Sequence, residues 1–177
     1  ADLVIVAQEE ALAHLKGARR SVVIPFPVRE QRLAREAARD LLGLPRDAFV
    51  TLVMGGSQGS ATLNRECPAA YRSLGGTTPD GRPHHVLHAA GTGRAGEVDA
   101  AGLPHYHVRE FVDAVAAWSA ADVAVTRAGM GTISEAAFHG VPLVMVPLPS
   151  AAEDHQLHNA RAFSAAGAGV VVEEREV

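Results

Sequence analysis

Short apolar runs alternate with amphipathic segments along the whole chain. "DLVIVA" (2–7) reads as a strand and "QEEALAHLKG" after it as a helix; "SVVIPFP" (21–27) is a second strand, ended by its prolines. Positions 29–42, "REQRLAREAARDLL", put Leu33, Ala37, Ala38, Leu41 and Leu42 on one face at helical spacing, with Gly43 as the stop signal. The charges between them read as a solvated outer face. "FVTLVM" is a buried-type strand, and "SATLNRECPAAYRSL" a helix with Pro68 disturbing its middle or marking a new start. "TTPDGRP" is a turn. The second half repeats the rhythm: strands at "HHVLHAAG", "HYHVREF", "DVAVTRAG", "PLVMVPL" and "GVVVEE", and helices at "AVAAWSAA" (capped by Asp113), "TISEAAFHG" and "EDHQLHNARAFSAAG". Connections too long for hairpins make this an α/β chain with a doubly wound, Rossmann-like parallel sheet.

Composition narrows the choice of function more than of fold. Aromatics are only 5 %, so Ala, Val and Leu supply most of the apolar share, as small-residue helix faces on a parallel sheet require. A net charge of -4 gives no basic footprint for nucleic acid. The single Cys67 excludes an internal disulfide and a cysteine-rich zinc site and fits a reducing compartment. No apolar run approaches the roughly 20 residues of a membrane span, and "ADLVIVAQEE" has no basic region of a signal peptide. It reads instead as a strand that starts abruptly, as if cut from a longer chain.

In such a sheet ligands sit beyond the carboxyl ends of the strands, where three polar, glycine-bearing loops gather. The first is Gly55, Gly56, Ser57, Gln58 and Gly59. Bare backbone there lets a phosphate approach amides at the next helix start, although the loop is neither G-x-G-x-x-G nor a Walker loop and could be a tight turn alone. The second, "RAGMGTISE", offers helix-start amides to a diphosphate and Glu135 to ribose hydroxyls; Thr132 and Glu135 equally fit a capping box. The third, "PLPSAAEDHQ", brings Asp154, His155 and Gln156 together as sugar-hydroxyl partners, or Asp154 as a helix cap. His84, His85, His88, His105 and His107 alternate along presumed strands, without metal-ligand spacing, and no nucleophile elbow is present.

Taken together, "FPVRE", "VMGGSQGSATLN", "REFVDAVAAWSAADVAVTRAGMGTISEAAFHGVPLVMVPLPSAAEDHQLHNA" and "GAGVVVEE" closely resemble the running pattern of glycosyltransferase family 28, in its branch of peptidoglycan N-acetylglucosaminyltransferases. The resemblance spans nearly the whole chain. It implies a GT-B enzyme of two Rossmann-like domains, with residues 1–25 the tail of an N-terminal acceptor domain and 26–177 a C-terminal nucleotide-sugar domain lacking its final helices. It implies Arg29 and Ser57 on the donor diphosphate, the main chain of Val112 on the uracil edge, and Met130, Gly131, Thr132, Ile133, Ser134 and Glu135 over diphosphate and ribose. Gln156 is implied to read the N-acetylglucosamine hydroxyls. Two positions depart from the pattern: Phe26 precedes Pro27 where asparagine is usual, and His155 stands where some members carry glutamine. The activity implied is inverting transfer from UDP-N-acetylglucosamine, a substrate and not a cofactor, to a lipid-linked muramyl acceptor at the cytoplasmic face of the membrane. No cofactor, metal or nucleic acid is implied, and the general base belongs to the other domain, so this chain is expected to bind donor without turnover. Three alternatives remain: a UDP-sugar transferase acting on glycolipids or natural products, a donor-binding subunit of a two-chain enzyme, and a non-transferase nucleotide-binding module.

Overall fold

The computed structural model describes residues 1–7, 9–24, 26–149 and 155–177. Its centre is a six-stranded, all-parallel sheet built from β3 (Phe49–Met54), β4 (His84–Ala89), β5 (Tyr106–Arg109), β6 (Val123–Thr126), β7 (Leu143–Met145) and β8 (Gly169–Val171), in the order β5-β4-β3-β6-β7-β8. Separately, β1 (Val4–Val6) and β2 (Ser21–Val23) pair in parallel, Val4 opposite Ser21 and Val6 opposite Val23. The segment between them is a six-residue 3-10 turn, Glu9–His14, and not the α-helix its composition suggests.

The chain leaves β3 in both directions. The crossover β3–β4 runs through α2 (Ala61–Leu74); α3 (Ala114–Ala120), α4 (Met130–His139) and α5 (His155–Ala165) follow β5, β6 and β7. Right-handed crossovers that march outward in opposite directions must place their helices on opposite faces. One core accordingly joins Leu52, Ala124, Leu143 and Met145 of the sheet to Trp118, Ile133, Ala136 and Ala160 of α3, α4 and α5. The other sets Leu63 and Tyr71 of α2 against Val53, Val86 and Tyr106. The order reverses between β3 and β6, paired from Thr51 opposite Val123 to Met54 opposite Thr126, and there the loops at their carboxyl ends part.

Two helices differ from expectation. Helix α1 covers only Arg35–Leu42: ahead of it the Gln31 amide donates to the Arg29 carbonyl in a tight turn, and the Leu33 amide donates to Ser119 Oγ at 3.1 Å instead of to a helical carbonyl. Leu41 is 69 % exposed, whereas Arg39 is buried: its guanidinium donates to the Ala120 and Arg46 carbonyls and pairs with Asp122 Oδ2 at 2.6 Å. Asp122 also accepts from the Val50 amide at 2.8 Å and from Arg35. The expected solvated face of this helix is thus, in part, a buried ionic clamp onto the amino ends of β3 and β6. Helix α2 runs unbroken through Pro68, and its Ser60 cap accepts from the Leu63 amide.

Candidate functional site

The loop after β3 turns back on itself through a Gly59 amide to Gly56 carbonyl bond of 3.0 Å. Gly59 has φ +70°, and a Cβ there would lie 1.9 Å from the carbonyl oxygen of Ala90, at the end of β4. No side chain fits that approach, so the glycine is a requirement of backbone packing whether or not a ligand is bound. Above it lies an open cavity of about 520 Å³, lined by Gly55, Gly56, Ser57, Gln58, Gly59 and the start of α2, and across from them by Arg94, Arg127, Gln156 and Glu174.

A chain of polar groups, exposed at Glu97 and buried at Asn64, His88 and Tyr106, braces this loop. Arg94 donates to the Gln58 carbonyl at 3.0 Å and grips Glu97 through two bonds of 2.9 and 2.8 Å. Asn64 Nδ2 donates to Glu97 and to the Ala90 carbonyl. Its Oδ1 must therefore accept from His88 Nε2–H, 3.0 Å away, which leaves His88 Nδ1 to accept from the Tyr106 hydroxyl at 2.8 Å. The network needs neutral His88, and burial brings its pKa down to about 4. Hydrogen bonds from Arg94 and then Asn64 hold the Glu97 carboxyl below its usual range. Arg94, Asn64 and Glu97 were not legible as site residues: "HAAGTGR" reads as a strand ending in glycine, and only Arg94 just after that glycine turn could have been a signal.

Helix α4 begins at Met130, two residues earlier than the pattern suggests, with Gly129 at its cap and no side chain capping its first amides. Thr132 and Glu135 form no capping box. Glu135 Oε2 instead accepts from the indole Nε1 of Trp118 at 3.0 Å. Glu135 and Trp118 border a second cavity of about 360 Å³, with Arg29, Phe111, Asp113 and His139. Phe111 is 78 % exposed, an apolar ring free to lie on a planar ligand, and it too was missed. Asp113 caps α3, its Oδ1 accepting from the Ala116 amide at 2.8 Å. Val112 and Ile133 are buried in the core, so only their main chains can meet a ligand. Met130, Gly131, Thr132 and Ser134 are half-buried around the helix start.

Gln156 fastens the remaining loops. Its Oε1 accepts from the Ala128 amide at 3.2 Å and the Leu148 amide at 3.1 Å, so a ligand can use only its Nε2–H. His155 opens α5 with an exposed side chain; Asp154 lies outside the described residues. Nearby, Arg127 donates to the Val146 and Pro147 carbonyls and pairs with Glu174 at 3.2 Å. Burial opposes ionisation of Glu174, but bonds from Arg127 and Thr62 outweigh it and keep its pKa low. This arginine is therefore largely neutralised before any ligand arrives. Of the residues picked out from sequence, the glycine loop and Gln156 share one cavity and Arg29 and Glu135 the other, while Met130–Ser134, the first residues of α4, line neither. Arg29 and Ser57 do not line the same cavity. Among the described residues, no group of three or more His, Cys, Asp or Glu side chains is placed to hold a metal ion, and no helix is long and apolar enough to cross a membrane.

Known proteins resemble this chain in sequence and in fold. A transferase of Deinococcus radiodurans, named UDP-N-acetylglucosamine–N-acetylmuramyl-(pentapeptide) pyrophosphoryl-undecaprenol N-acetylglucosamine transferase, is 47 % identical over 184 residues, covering 89 % of this chain and 46 % of its own length. Its namesake in Deinococcus deserti is 46 % identical over 180 residues, covering 88 % and 47 %. The crystal structure of Acinetobacter baumannii MurG superposes with a TM-score of 0.71 at 26 % identity, covering 99 % of this chain and 54 % of that one. The chain thus spans about half the length of the curated relatives it matches. With residues 50–177 matching the glycosyltransferase family 28 C-terminal domain, the chain belongs to that family and carries one Rossmann-like half of a GT-B glycosyltransferase.

Proposed function

We propose that this chain is the donor-binding half of an inverting N-acetylglucosaminyltransferase, one that moves the sugar of UDP-N-acetylglucosamine to the 4-hydroxyl of a lipid-linked muramyl acceptor. The observation that carries the reading is an uncapped helix start just after β6, at the reversal of strand order: Glu135 of that helix lines one cavity, and Gln156, bonded to the Ala128 amide just ahead of it, lines the other. A nucleoside needs a planar surface and a ribose acceptor, which Phe111 and Glu135 supply on one side. The sugar end needs hydroxyl partners and close backbone, which Gln156 Nε2 and the glycine loop with Ser57 supply on the other. The diphosphate then spans the first turn of α4. Its free amides and the helix dipole face the charge that builds as UDP departs, and a fixed electrostatic contribution of that kind costs no reorganisation during the reaction. Arg29 sits on the nucleoside side, within the cavity of Glu135, and serves the phosphate nearer the ribose.

On this reading residues 1–25 end an acceptor domain, 26–177 form the donor domain, and the base that activates the acceptor hydroxyl lies on the other half. The complete enzyme works at the cytoplasmic face of the membrane, where its lipid-linked acceptor resides. The test is calorimetric titration of this chain with UDP-N-acetylglucosamine, UDP and ADP, repeated with Glu135→Ala. Both uridine ligands should bind, ADP should not, and the substitution should weaken binding about tenfold. Equal binding of ADP and UDP would reduce the protein to a general nucleotide-binding module.

A further inference from the structure

The single tryptophan of the chain sits where nothing in the donor reading requires an aromatic residue. Trp118 is 1 % exposed and packs in the core beside Ile133 and Ala136 of α4, yet its indole nitrogen reaches the edge of the nucleoside cavity and donates to Glu135 Oε2 at 3.0 Å. We propose that Trp118 is a positioning residue for ribose recognition: its indole N–H fixes the Glu135 carboxylate in the rotamer that accepts from the two ribose hydroxyls. The proposal rests on Glu135 as the ribose acceptor.

Three features of the contact support it. Glu135 lies on the first turns of α4 with its side chain only half-buried, and an unanchored glutamate there would sample several rotamers, each ordered at an entropic cost on binding. The anchor is rigid, because the indole is locked in the core and cannot follow the carboxylate away. The indole is also a donor only, so it can never accept the proton of a sugar hydroxyl in place of the glutamate. One carboxylate oxygen is held and the other is left to the ligand. The bond spans 17 positions and links α3 to α4. Arg29 and His139 border the same cavity, but neither makes this bond, and Asp113 is committed to its cap.

The test compares the chain with Trp118→Phe, which keeps a buried aromatic ring and removes the donor together with the five-membered ring, in binding to UDP and to 2′,3′-dideoxy-UDP. The substitution should weaken UDP roughly five- to tenfold, as the cost of ordering a freed glutamate rotamer implies, and leave the dideoxy nucleotide unchanged. Equal weakening of both ligands would mean that Trp118 is merely structural and would overturn the proposal. If the unsubstituted chain binds both nucleotides equally and Glu135→Gln changes neither, it is the ribose role of Glu135 that fails. A second measurement holds even if Trp118→Phe does not fold or the chain binds no uridine nucleotide. With one tryptophan, the protein gives one indole N–H resonance, which should shift in Glu135→Gln; a resonance blind to that substitution shows that the positioning bond does not exist.

Discussion

Consider the protein as the pH falls from 7 to 5. His88 is fully buried, and both ring nitrogens are committed, Nε2 as donor to Asn64 and Nδ1 as acceptor from Tyr106. A second ring proton would have to break the Tyr106 bond and place a charge in the core. Burial therefore moves the pKa from 6.5 to about 4. The unfolded chain takes up a proton below 6.5 and the folded one only near 4, so between those values the unfolded state binds more protons and stability declines as the pH falls. At about 1.4 kcal/mol per pKa unit, the full window is worth roughly 3 kcal/mol, and pH 7 to 5 about 2 kcal/mol of it. His84, His85, His107 and His139 are also shifted down by burial and add to the slope with the same sign. Asp40, Asp80, Glu97 and Glu174 have lowered values, so their contribution is lost only below their ordinary range, under the window used. The assay is urea unfolding followed by circular dichroism at pH 7, 6 and 5, for the protein and for His88→Gln, which cannot titrate. The stability difference between the two should shrink by about 2 kcal/mol between pH 7 and 5. A difference that stays constant across the window would refute the buried, neutral His88, and with it the network that braces the glycine loop.

Two further perturbations probe the two ends of the sheet. Gly59→Ala forces a side chain at φ +70° into the Ala90 carbonyl, and should cost more than about 2 kcal/mol in denaturant unfolding and abolish UDP binding; Gly56→Ala, with φ +87° but open space around it, should cost only about 1 kcal/mol. At the opposite end, Asp122→Ala leaves Arg39 buried without its partner and the Val50 amide without its acceptor, and should lower stability by about 3–5 kcal/mol with no change in nucleotide affinity once folded. Chemical denaturation and calorimetry at a temperature where the variant is folded check both halves of that statement.

Whatever depends on neighbours along the chain is legible before folding. Short apolar runs, such as Phe49–Met54 and Leu143–Met145, announce buried strands because a parallel strand is covered on both faces. Asp113 is readable as a cap because the amide it accepts from lies three positions on. The glycine loop and the helix after "RAG" are legible for the same reason, and with them the family. Where polar side chains find distant partners becomes visible in the folded molecule alone. Glu135 is three residues from Thr132 and fits a capping box, but the helix starts at Met130 and a buried indole N–H 17 positions back offers a stronger claim on the carboxylate. Arg39 reads as a solvated charge until Asp122, 83 positions on, is folded against it. Gln156 reads as a sugar ligand, yet its oxygen is spent holding two loops. Hydrophobic periodicity is a local signal and survives in one dimension; a hydrogen-bond partner is a point in space, and the chain fixes that point only after it has folded.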